Sequence, residues 1–223
     1  MFKGPLHVCA RPFFFGASTP ISVATAGLVH WAEPTCLTGA KAMGNAQRKP
    51  WISPQDYLVA ERSAEVRHEY VDGEIFAMVG ASRRHATIVG NLFVALRQAA
   101  RARGCQAYAN DVKVRVEAAN AFYYPDLVAT CAGGDDDPYV VKDPVLVVEV
   151  LSDSTEAIDR REKRTNYQKI PSLREIVLVS QSERLVEVYR RDGSGWTVDV
   201  VRDGPVMLAA LDLSLPLDAV YED

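Results

Sequence analysis

Residues 144–152, with the sequence PVLVVEVLS, decide the fold of this chain. The segment is a continuous run of aliphatic residues that begins with proline and ends with serine, which is typical of a central strand buried on both faces. Glu149 lies within this run. Because an ionised glutamate is rarely buried unless another group pairs with it, the segment predicts a central strand and a cation beside Glu149, supplied by a side chain or by a metal.

A second carboxylate, Asp126, follows Pro125 in another strand-like segment. Two acids on strands of one sheet can converge on a hard cation, since such cations take oxygen ligands. The cation would offset the repulsion between two buried negative charges, which otherwise raises their pKa values. The alternative is that each acid pairs with a nearby arginine or lysine. Because a basic helix is predicted directly after the Glu149 strand, the metal is the favoured interpretation.

The segment after this strand predicts a helix over residues 155–169. Asp159, Lys163 and Tyr167 are spaced by four residues and share one face of it. Arg160 and Arg164 form a neighbouring basic row. Asp159 and Lys163 are either an exposed helix pair, or Lys163 leans back toward the strand and offers its ammonium to whatever the metal binds.

Turn and cap signals divide the remaining sequence into helices and strands. Ser53 followed by proline predicts a short helix, Asp72-Gly73 predicts a hairpin, and Ser82 predicts the cap of a long helix. We expect helices over residues 53–64 and 82–103, and strands over 67–71, 74–79, 107–117, 122–130, 145–151, 174–180, 184–190 and 196–202. This order predicts one α/β domain (mixed α+β) over residues 51–223, with a mixed β-sheet flanked by helices and a C-terminal β-meander.

Charge is uneven along the chain. Of its 223 residues, 48% are hydrophobic and 24% are charged, which is the composition of a globular protein. Residues 1–50 hold five basic residues against one acid, and the whole chain has a formal charge of -4, which leaves -8 on residues 51–223. An acidic domain is not a general binder of polyanions, so contact with nucleic acid must come from a local basic patch or a metal.

The N-terminal region and the cysteines predict little regular structure. Residues 1–42 show neither helical nor strand periodicity, and we expect residues 1–50 to be a disordered or non-native extension, with Met43 beginning the functional chain. A signal peptide is the less favoured alternative. The four cysteines lie far apart, so neither a disulfide framework nor structural zinc is expected, and a cytoplasmic location fits best. No apolar stretch is long enough to span a bilayer, so no membrane contact is expected.

Short motifs occur in a fixed order over roughly residues 51–210. They are Asp72-Gly73-Glu74, Ser82 with His85, Pro125-Asp126, residues 148–152 (VEVLS), Asp159 with Lys163 and Tyr167, residues 177–179 (VLV) and residues 186–189 (VEVY). Together they resemble the Uma2 family, a bacterial family within the restriction-endonuclease-like PD-(D/E)XK superfamily. The resemblance implies a restriction-endonuclease-like core sheet with flanking helices, a Mg2+ or Mn2+ site, and hydrolysis of phosphodiester bonds in DNA.

The resemblance also implies roles for the two strand acids. Asp126 matches the aspartate of the PD half-motif, and Glu149 matches the first acid of the (D/E)XK half-motif. The lysine of that half-motif would fall two residues after Glu149, where this sequence has Leu151. The family pattern points instead to Lys163 in the following helix. Asp126 and Glu149 would then hold the metal, and Lys163 would stabilise charge on the phosphate or orient the water.

Other residues near these motifs are further candidates. Glu74, at the start of the second hairpin strand, is either a third metal carboxylate or an ordinary turn acid. His85, in the first turn of the long helix, is either a base or phosphate ligand, or a surface or capping group. Positive charge for nucleic-acid contact is expected from Arg83, Arg84, Arg160, Arg164 and the Arg97 and Arg101 row.

These features predict a Mg2+-dependent endodeoxyribonuclease with DNA as its partner. One alternative is a nuclease-like fold that binds DNA or a protein without cutting, which Leu151 and the acidic charge favour. Another is an interaction module that pairs with a second copy of the chain, as a homodimer, through exposed C-terminal strands. The valines expected on that surface are Val186, Val188, Val198, Val200 and Val201.

Overall fold

The computed structural model describes residues 51–133, 137–152 and 155–223. The extension expected over residues 1–50 lies outside the described residues. Within the described ranges, no helix combines the length and apolar character needed to cross a bilayer.

The described chain alternates short strands with helices. The elements are α1 (Pro54–Glu61), β1 (His68–Val71), β2 (Glu74–Ala77), α2 (Arg83–Ala102), β3 (Gln106–Ala109), β4 (Lys113–Val116), β5 (Ala121–Tyr123), β6 (Leu127–Thr130), β7 (Val140–Val141), β8 (Pro144–Leu151), α3 (Glu156–Ile158), a π-helical turn (Asp159–Lys163), α4 (Arg164–Tyr167), β9 (Glu175–Ser180), β10 (Val186–Asp192), β11 (Gly195–Val201), β12 (Pro205–Leu208), β13 (Leu213–Pro216) and α5 (Leu217–Val220). The pieces from α3 to α4 follow one another without a gap, and we call them together the 156–167 helix.

The central sheet has six strands in the order β11-β10-β9-β8-β6-β3. Strand β8 pairs in parallel with β9 and antiparallel with β6. Every residue of β8 is buried, because its side chains alternate between two cores. Val148 and Val150 face one core, and Val147 and Leu151 face the other. The predictions of a buried central strand and of a mixed sheet flanked by helices are confirmed.

Two different layers cover the two faces of this sheet. Helix α2, the β12–β13 hairpin and α5 pack on one face. A second sheet, in the order β2-β1-β5-β4-β7, packs with the 156–167 helix on the other face. Helix α1 lies against this second sheet through the stacked rings of Tyr57 and Tyr70, whose centroids are 5.1 Å apart.

The local signals for turns and helix starts are confirmed. The Ser53 side chain accepts a hydrogen bond from the Asp56 N–H, and that of Ser82 accepts one from the His85 N–H. The β1–β2 turn at Asp72 and Gly73 places both residues at positive φ, a conformation that favours glycine and that aspartate tolerates. These caps fix where α1 and α2 begin, and so place His85 in the first turn of α2.

Two predicted strands are wrong as single elements. Residues 107–117 form β3 and β4, and residues 122–130 form β5 and β6. In each case the two halves belong to different sheets, since β3 pairs with β6 in the central sheet while β4 pairs with β5 in the second. The first predicted strand is interrupted at Asn110, which has a φ of 52°. The second is interrupted at Pro125, which has no backbone N–H to donate to a neighbouring strand.

The C-terminal strands differ in exposure from what the sequence predicts. Val186 and Val188 are fully buried in the core, so the expectation that they are exposed is wrong. Both belong to β10, which lies between β9 and β11 and is covered on the face where these valines point. Val198 and Val200, on the edge strand β11, are exposed as expected. The homodimer stays a prediction.

A disulfide joins Cys105 to Cys131, so the expectation of unpaired cysteines is wrong for these two. Gln106, which begins β3, pairs with Thr130, which ends β6. Cys105 and Cys131 are the next residues outward, so the strand pairing places them opposite each other. No local sequence pattern predicts this contact, because strand pairing is non-local. The cytoplasmic location stays a prediction, now without support from cysteine spacing.

Reduction of this disulfide should lower the thermal stability. The disulfide closes a loop with a sequence separation of 26 residues, which lowers the conformational entropy of the unfolded chain and so stabilises the folded state by about 3 kcal/mol. For a domain of this size, that free energy corresponds to a Tm shift of about 6–12 °C. Scanning fluorimetry with and without dithiothreitol measures the shift. A Cys105→Ser variant should match the reduced protein and show no response to reductant. An unchanged Tm after thiol titration has verified reduction would contradict this expectation.

Candidate active site

Asp126 and Glu149 lie side by side where β6 begins and β8 approaches its end. The register pairs Leu127 with Val148, so the residues just outside that pair, Asp126 and Glu149, are neighbours on adjacent strands. Asp126 Oδ2 accepts a hydrogen bond of 2.6 Å from the Val150 N–H. The side chain of Glu149 is 5% exposed, against 18% for Asp126. The structure thus brings together the two acids that the sequence predicts, one deep in the sheet and one nearer the surface.

The 156–167 helix presents Lys163 to these acids. Its Nζ lies 3.5 Å from Glu149 Oε1, 3.2 Å from Asp159 Oδ1 and 2.7 Å from Glu69 Oε1. The Tyr167 hydroxyl donates a hydrogen bond of 2.8 Å to Glu149 Oε1. Asp159, Lys163 and Tyr167 are all buried, so the interpretation of Asp159 and Lys163 as an exposed helix pair is wrong. The ammonium reaches Glu149 although Leu151, at the usual lysine position, is buried in the core.

Glu69 is the carboxylate from the β1–β2 hairpin that reaches the site, and sequence reasoning missed it. Its Oε1 also accepts the Tyr124 N–H at 3.1 Å. Glu74, the predicted hairpin acid, is exposed at the start of β2, opposite Val71. That position lies two residues along the strand from Phe76, which pairs with Glu69. The alternating polar and apolar pattern of β1 is common to many surface strands, so no sequence signal distinguished Glu69.

His85 contacts Asp126 from the first turn of α2. Its Nε2 lies 2.9 Å from Asp126 Oδ1. The hydrogen bond to Asp126 raises the pKa of His85 and outweighs burial, which acts in the opposite direction. His85 Nδ1 is buried and has no hydrogen-bond partner among the described residues. His85 is therefore part of the site and favours its protonated form.

Negative charge exceeds positive charge in this cluster. Among the described residues, the four carboxylates of Glu69, Asp126, Glu149 and Asp159 meet two cationic side chains, those of Lys163 and His85. Burial raises the pKa of Glu149 well above its usual value, and repulsion from the other three acids adds to this despite the opposing effect of Lys163. Burial lowers the pKa of Lys163, but attraction to Glu149, Glu69 and Asp159 outweighs it and leaves the pKa raised. Lys163 is therefore protonated, and the positive charges of Lys163 and His85 do not balance the four carboxylates.

The donor set suits a hard divalent cation. Carboxylate oxygens are the ligands that Mg2+ takes, and Asp126 and Glu149 supply them from adjacent strands. Asp159 Oδ1 is buried and forms no hydrogen bond with any described residue, although Lys163 Nζ lies 3.2 Å away. Among the described residues, no three His, Cys, Asp or Glu side chains already form a metal-like group. The fit therefore rests on oxygen chemistry and excess negative charge.

Three of the arginines expected to contact nucleic acid are engaged within the protein. Arg84 pairs with Asp223 at 2.6 Å. Arg160 pairs with Glu156 at 2.6 Å and with Glu187 at 2.5 Å. The guanidinium of Arg164 lies over the Tyr189 ring at 4.8 Å and also donates to the Arg160 carbonyl. Arg83 is exposed in the first turn of α2, so the structure places it, rather than the other three, in the open near His85.

The acids line a cavity of about 1090 Å³. Its charged lining consists of the four carboxylates, Lys163 and His85. The rest is largely apolar, and its lining includes Ile75, Phe76, Met78, Val79, Val89, Phe93 and Ile158. A substrate can therefore approach the acids through a concave and mostly apolar space.

Comparisons with known proteins agree with this fold. Residues 54–218 match the model of a family described as "Uma2: Putative restriction endonuclease". Two uncharacterized Synechocystis proteins are relatives: slr1290 is 32% identical over 77% of this chain and 92% of its own length, and sll1609 is 29% identical over 64% and 82%. The crystal structure of "a putative nuclease belonging to DUF820" from Anabaena variabilis has a TM-score of 0.63 at 16% identity, covering 76% of this chain and 97% of that one. Its likeness shows a shared fold.

Replacing Glu149 by glutamine should stabilise the protein in EDTA at neutral to alkaline pH. The folded state holds a proton on Glu149 more tightly than the unfolded chain does, because its pKa is raised above the usual 4.5. The stabilisation that this proton gives the folded state is complete below pH 4.5, the usual pKa. It is lost as the pH rises through the raised pKa of Glu149 in the folded state. We expect Glu149→Gln to raise Tm at pH 8, by about 2–4 °C for each kcal/mol that the substitution adds to the free energy of unfolding. The difference in Tm should be smaller at pH 5.

Glu175→Gln provides the matched control. Glu175 is also buried, but it accepts hydrogen bonds from Arg190 at 2.8 Å and from two backbone N–H groups. Its loss of charge should therefore lower Tm at both pH values. A Glu149→Gln variant that is less stable than wild type at pH 8 would show that this carboxylate is fully compensated.

Proposed function

The chain belongs to the Uma2 family, and from this membership we propose that it is a Mg2+-dependent endonuclease that hydrolyses phosphodiester bonds in DNA. The family model is described as "Putative restriction endonuclease", and the fold is shared with "a putative nuclease belonging to DUF820". One observation supports the proposal above the others. Asp126 and Glu149 are neighbours on adjacent strands, and a buried ammonium, that of Lys163, lies 3.5 Å from Glu149 Oε1.

Asp126 and Glu149 would hold the divalent cation through their carboxylate oxygens. The chemistry that such a cation supplies is polarisation of the phosphodiester and a lowered pKa for a bound water. Two acids at different depths suit this purpose, because Glu149 anchors the site within the sheet while Asp126 is accessible from the cavity. The Val150 N–H and His85 both hydrogen-bond to Asp126, which fixes the orientation of its carboxylate.

Lys163 would act on the phosphate as a fixed positive charge. Its raised pKa keeps it protonated, so it donates hydrogen bonds and stabilises negative charge but does not serve as a base. Contacts of 2.7 Å to Glu69 and 3.2 Å to Asp159 hold the ammonium in place. Preorganised charge of this kind is a large contributor to catalysis, since it needs no rearrangement when negative charge develops. Glu69 and Asp159 are then positioning residues for Lys163.

His85 would position Asp126 through the contact of 2.9 Å between its Nε2 and Asp126 Oδ1. Its raised pKa favours the imidazolium, which is unsuited to accept a proton from water. The positioning role is therefore better supported for His85 than the general-base and phosphate-ligand roles, because Nε2 contacts Asp126 and Nδ1 is buried. Glu74, exposed at the hairpin turn, is the weaker of the predicted metal ligands, and Glu69 lies much closer to the site.

Cleavage of supercoiled plasmid in Mg2+ and in EDTA tests the proposal. We expect cleavage only with the metal, and a loss of about 100-fold or more in Asp126→Asn, Glu149→Gln and Lys163→Met. Lys169→Met is the matched control, since Lys169 lies just after the same helix and donates to Asn166 at 2.8 Å. It should cut at the wild-type rate.

Three outcomes would refute the proposal or parts of it. Full activity in Asp126→Asn or Glu149→Gln would remove the assignment of the metal ligands. Full activity in Lys163→Met would remove only the role of the lysine. Metal binding by calorimetry with no cleavage of any DNA would select the non-cutting alternative, a nuclease fold that binds without turnover.

A further inference from the structure

Helix α2 carries basic residues and no acidic ones. Its 20 residues, Arg83–Ala102, include four arginines and neither aspartate nor glutamate, although the domain as a whole is acidic. Arg84 is engaged by Asp223. The other three form no ion pair with any described residue, and they are Arg83, Arg97 and Arg101. All three are exposed, so α2 presents a local basic patch on an acidic domain.

The three arginines share one stripe of the helix. Because an α-helix turns by about 100° per residue, positions 83, 90, 94, 97 and 101 fall within about 60° of one another. Gly90 and Val94 lie between the arginines. A side chain added at Gly90 would meet open space, and Val94 is 71% exposed. We call these five residues the α2 stripe, which is about 27 Å long at about 1.5 Å per residue.

The α2 stripe runs along the margin of the active-site cavity. Gly90 belongs to the stripe and also lines that cavity, as does Ala86 one turn earlier. Near the Arg83 end of the stripe, His85 contacts Asp126 at 2.9 Å. A polyanion that lies along the stripe would therefore pass beside the active-site acids.

The far end of the stripe keeps its hydrogen-bond donors. Arg97 lies 6.0 Å from the Phe93 ring centroid, at the outer limit of a cation–π contact. The ring is not a conventional hydrogen-bond acceptor, so the guanidinium N–H groups remain available to an anion. Arg103, just after the helix, differs because it pairs with Asp212 at 3.6 Å.

The C-terminal residues occupy the other flank of the stripe. Asn91 donates hydrogen bonds to the Val220 carbonyl at 3.3 Å and to the Glu222 carbonyl at 2.7 Å. Arg84 pairs with Asp223 on the same side. These two acids bring negative charge to that flank and would repel a polyanion there. The flank that borders the active-site cavity is therefore the one on which we expect a polyanion to lie.

The composition of the stripe fits a DNA duplex better than a single strand. Arginine binds phosphate oxygens through paired N–H donors, and both forms of DNA have phosphates. Surfaces that bind single strands also supply aromatic rings on which the bases stack, whereas the middle of the stripe consists of glycine and valine. A duplex keeps its bases inside, and each contact to it releases more counterion, with salt slopes of about 0.9 per phosphate against about 0.7 for a single strand.

We propose that the α2 stripe binds the backbone of double-stranded DNA, with phosphates on Arg83, Arg97 and Arg101, and so aligns the duplex beside the active-site acids. This inference rests on the proposed nuclease function, for which it names the form of the substrate and the surface on which it lies. Contacts to phosphate carry no sequence information. The stripe therefore supplies affinity and alignment, and no sequence preference.

Fluorescence anisotropy in EDTA, with a short labelled duplex, tests the stripe without any cleavage. The combined Arg83→Ala, Arg97→Ala and Arg101→Ala variant should bind at least about tenfold more weakly. The slope of log affinity against log salt should fall by about 2.7, for three lost phosphate contacts at about 0.9 each.

A second triple variant controls for the change in net charge. Arg62→Ala, Arg174→Ala and Arg202→Ala remove three exposed arginines that lie outside α2 and do not line the active-site cavity. At physiological ionic strength, charges act over about 8 Å. We therefore expect this control to bind the duplex within about twofold of the wild-type affinity.

Val94 allows a test at a single position of the stripe. It is 71% exposed and does not line the active-site cavity, so we expect polar substitutions there to fold, which melting curves check. Val94→Glu should weaken duplex binding about threefold or more, and Val94→Lys should tighten it by a similar factor, because the new charge lies beside the phosphates. Val94→Gln, with the shape of glutamate but no charge, should stay within about twofold of wild type.

A labelled single strand of the same sequence and length completes the test, and it should bind at least about fivefold more weakly than the duplex. Tighter binding of the single strand would overturn the proposal. So would an unchanged affinity in the Arg83, Arg97 and Arg101 variant, or an equal loss in the control triple variant.

The plasmid assay succeeds or fails independently of this binding test. Duplex binding that depends on the stripe, without cleavage of any DNA, would keep the stripe and remove the nuclease proposal. Metal-dependent cleavage with duplex binding that ignores the stripe would do the reverse.

Discussion

The burial of Glu149 in the central strand is the constraint on which the rest of the site depends. A carboxylate in this position, within a strand whose residues are all buried, loses its hydration and must find partners in the protein. Tyr167 supplies a hydrogen bond and Lys163 an ammonium, both from the 156–167 helix. The packing of that helix on the sheet is therefore coupled to the charge of one residue in the strand before it.

The π-helical turn belongs to this arrangement. It spans Asp159–Lys163, and the Arg164 N–H donates a hydrogen bond to the Asp159 carbonyl five residues earlier. Single turns of this type are frequent at functional sites. Here the turn contains both Asp159 and Lys163, and both are buried against the sheet.

The site is electrostatically incomplete, and function explains this better than stability does. A cluster selected only for stability would match its charges, because an unpaired buried charge is costly. Here four acids meet one ammonium and one histidine, and helices from opposite faces of the central sheet bring those two cations. Strand β8, between them, carries the acid that a divalent cation would neutralise. Membership of the Uma2 family, whose model is described as "Putative restriction endonuclease", is consistent with the proposed function.

The sequence by itself determined the parts of this protein that depend on local patterns. The apolar run of β8, the caps at Ser53 and Ser82 and the turn at Asp72-Gly73 follow from short-range chemistry, and the two strand acids stand out against apolar neighbours. The tertiary structure alone decided which hairpin acid reaches Lys163, where strands cross between sheets, which arginines are engaged, and that Cys105 meets Cys131. These contacts join residues far apart in the chain, and they are set by strand register and by charges acting through space, neither of which leaves a local pattern in the sequence.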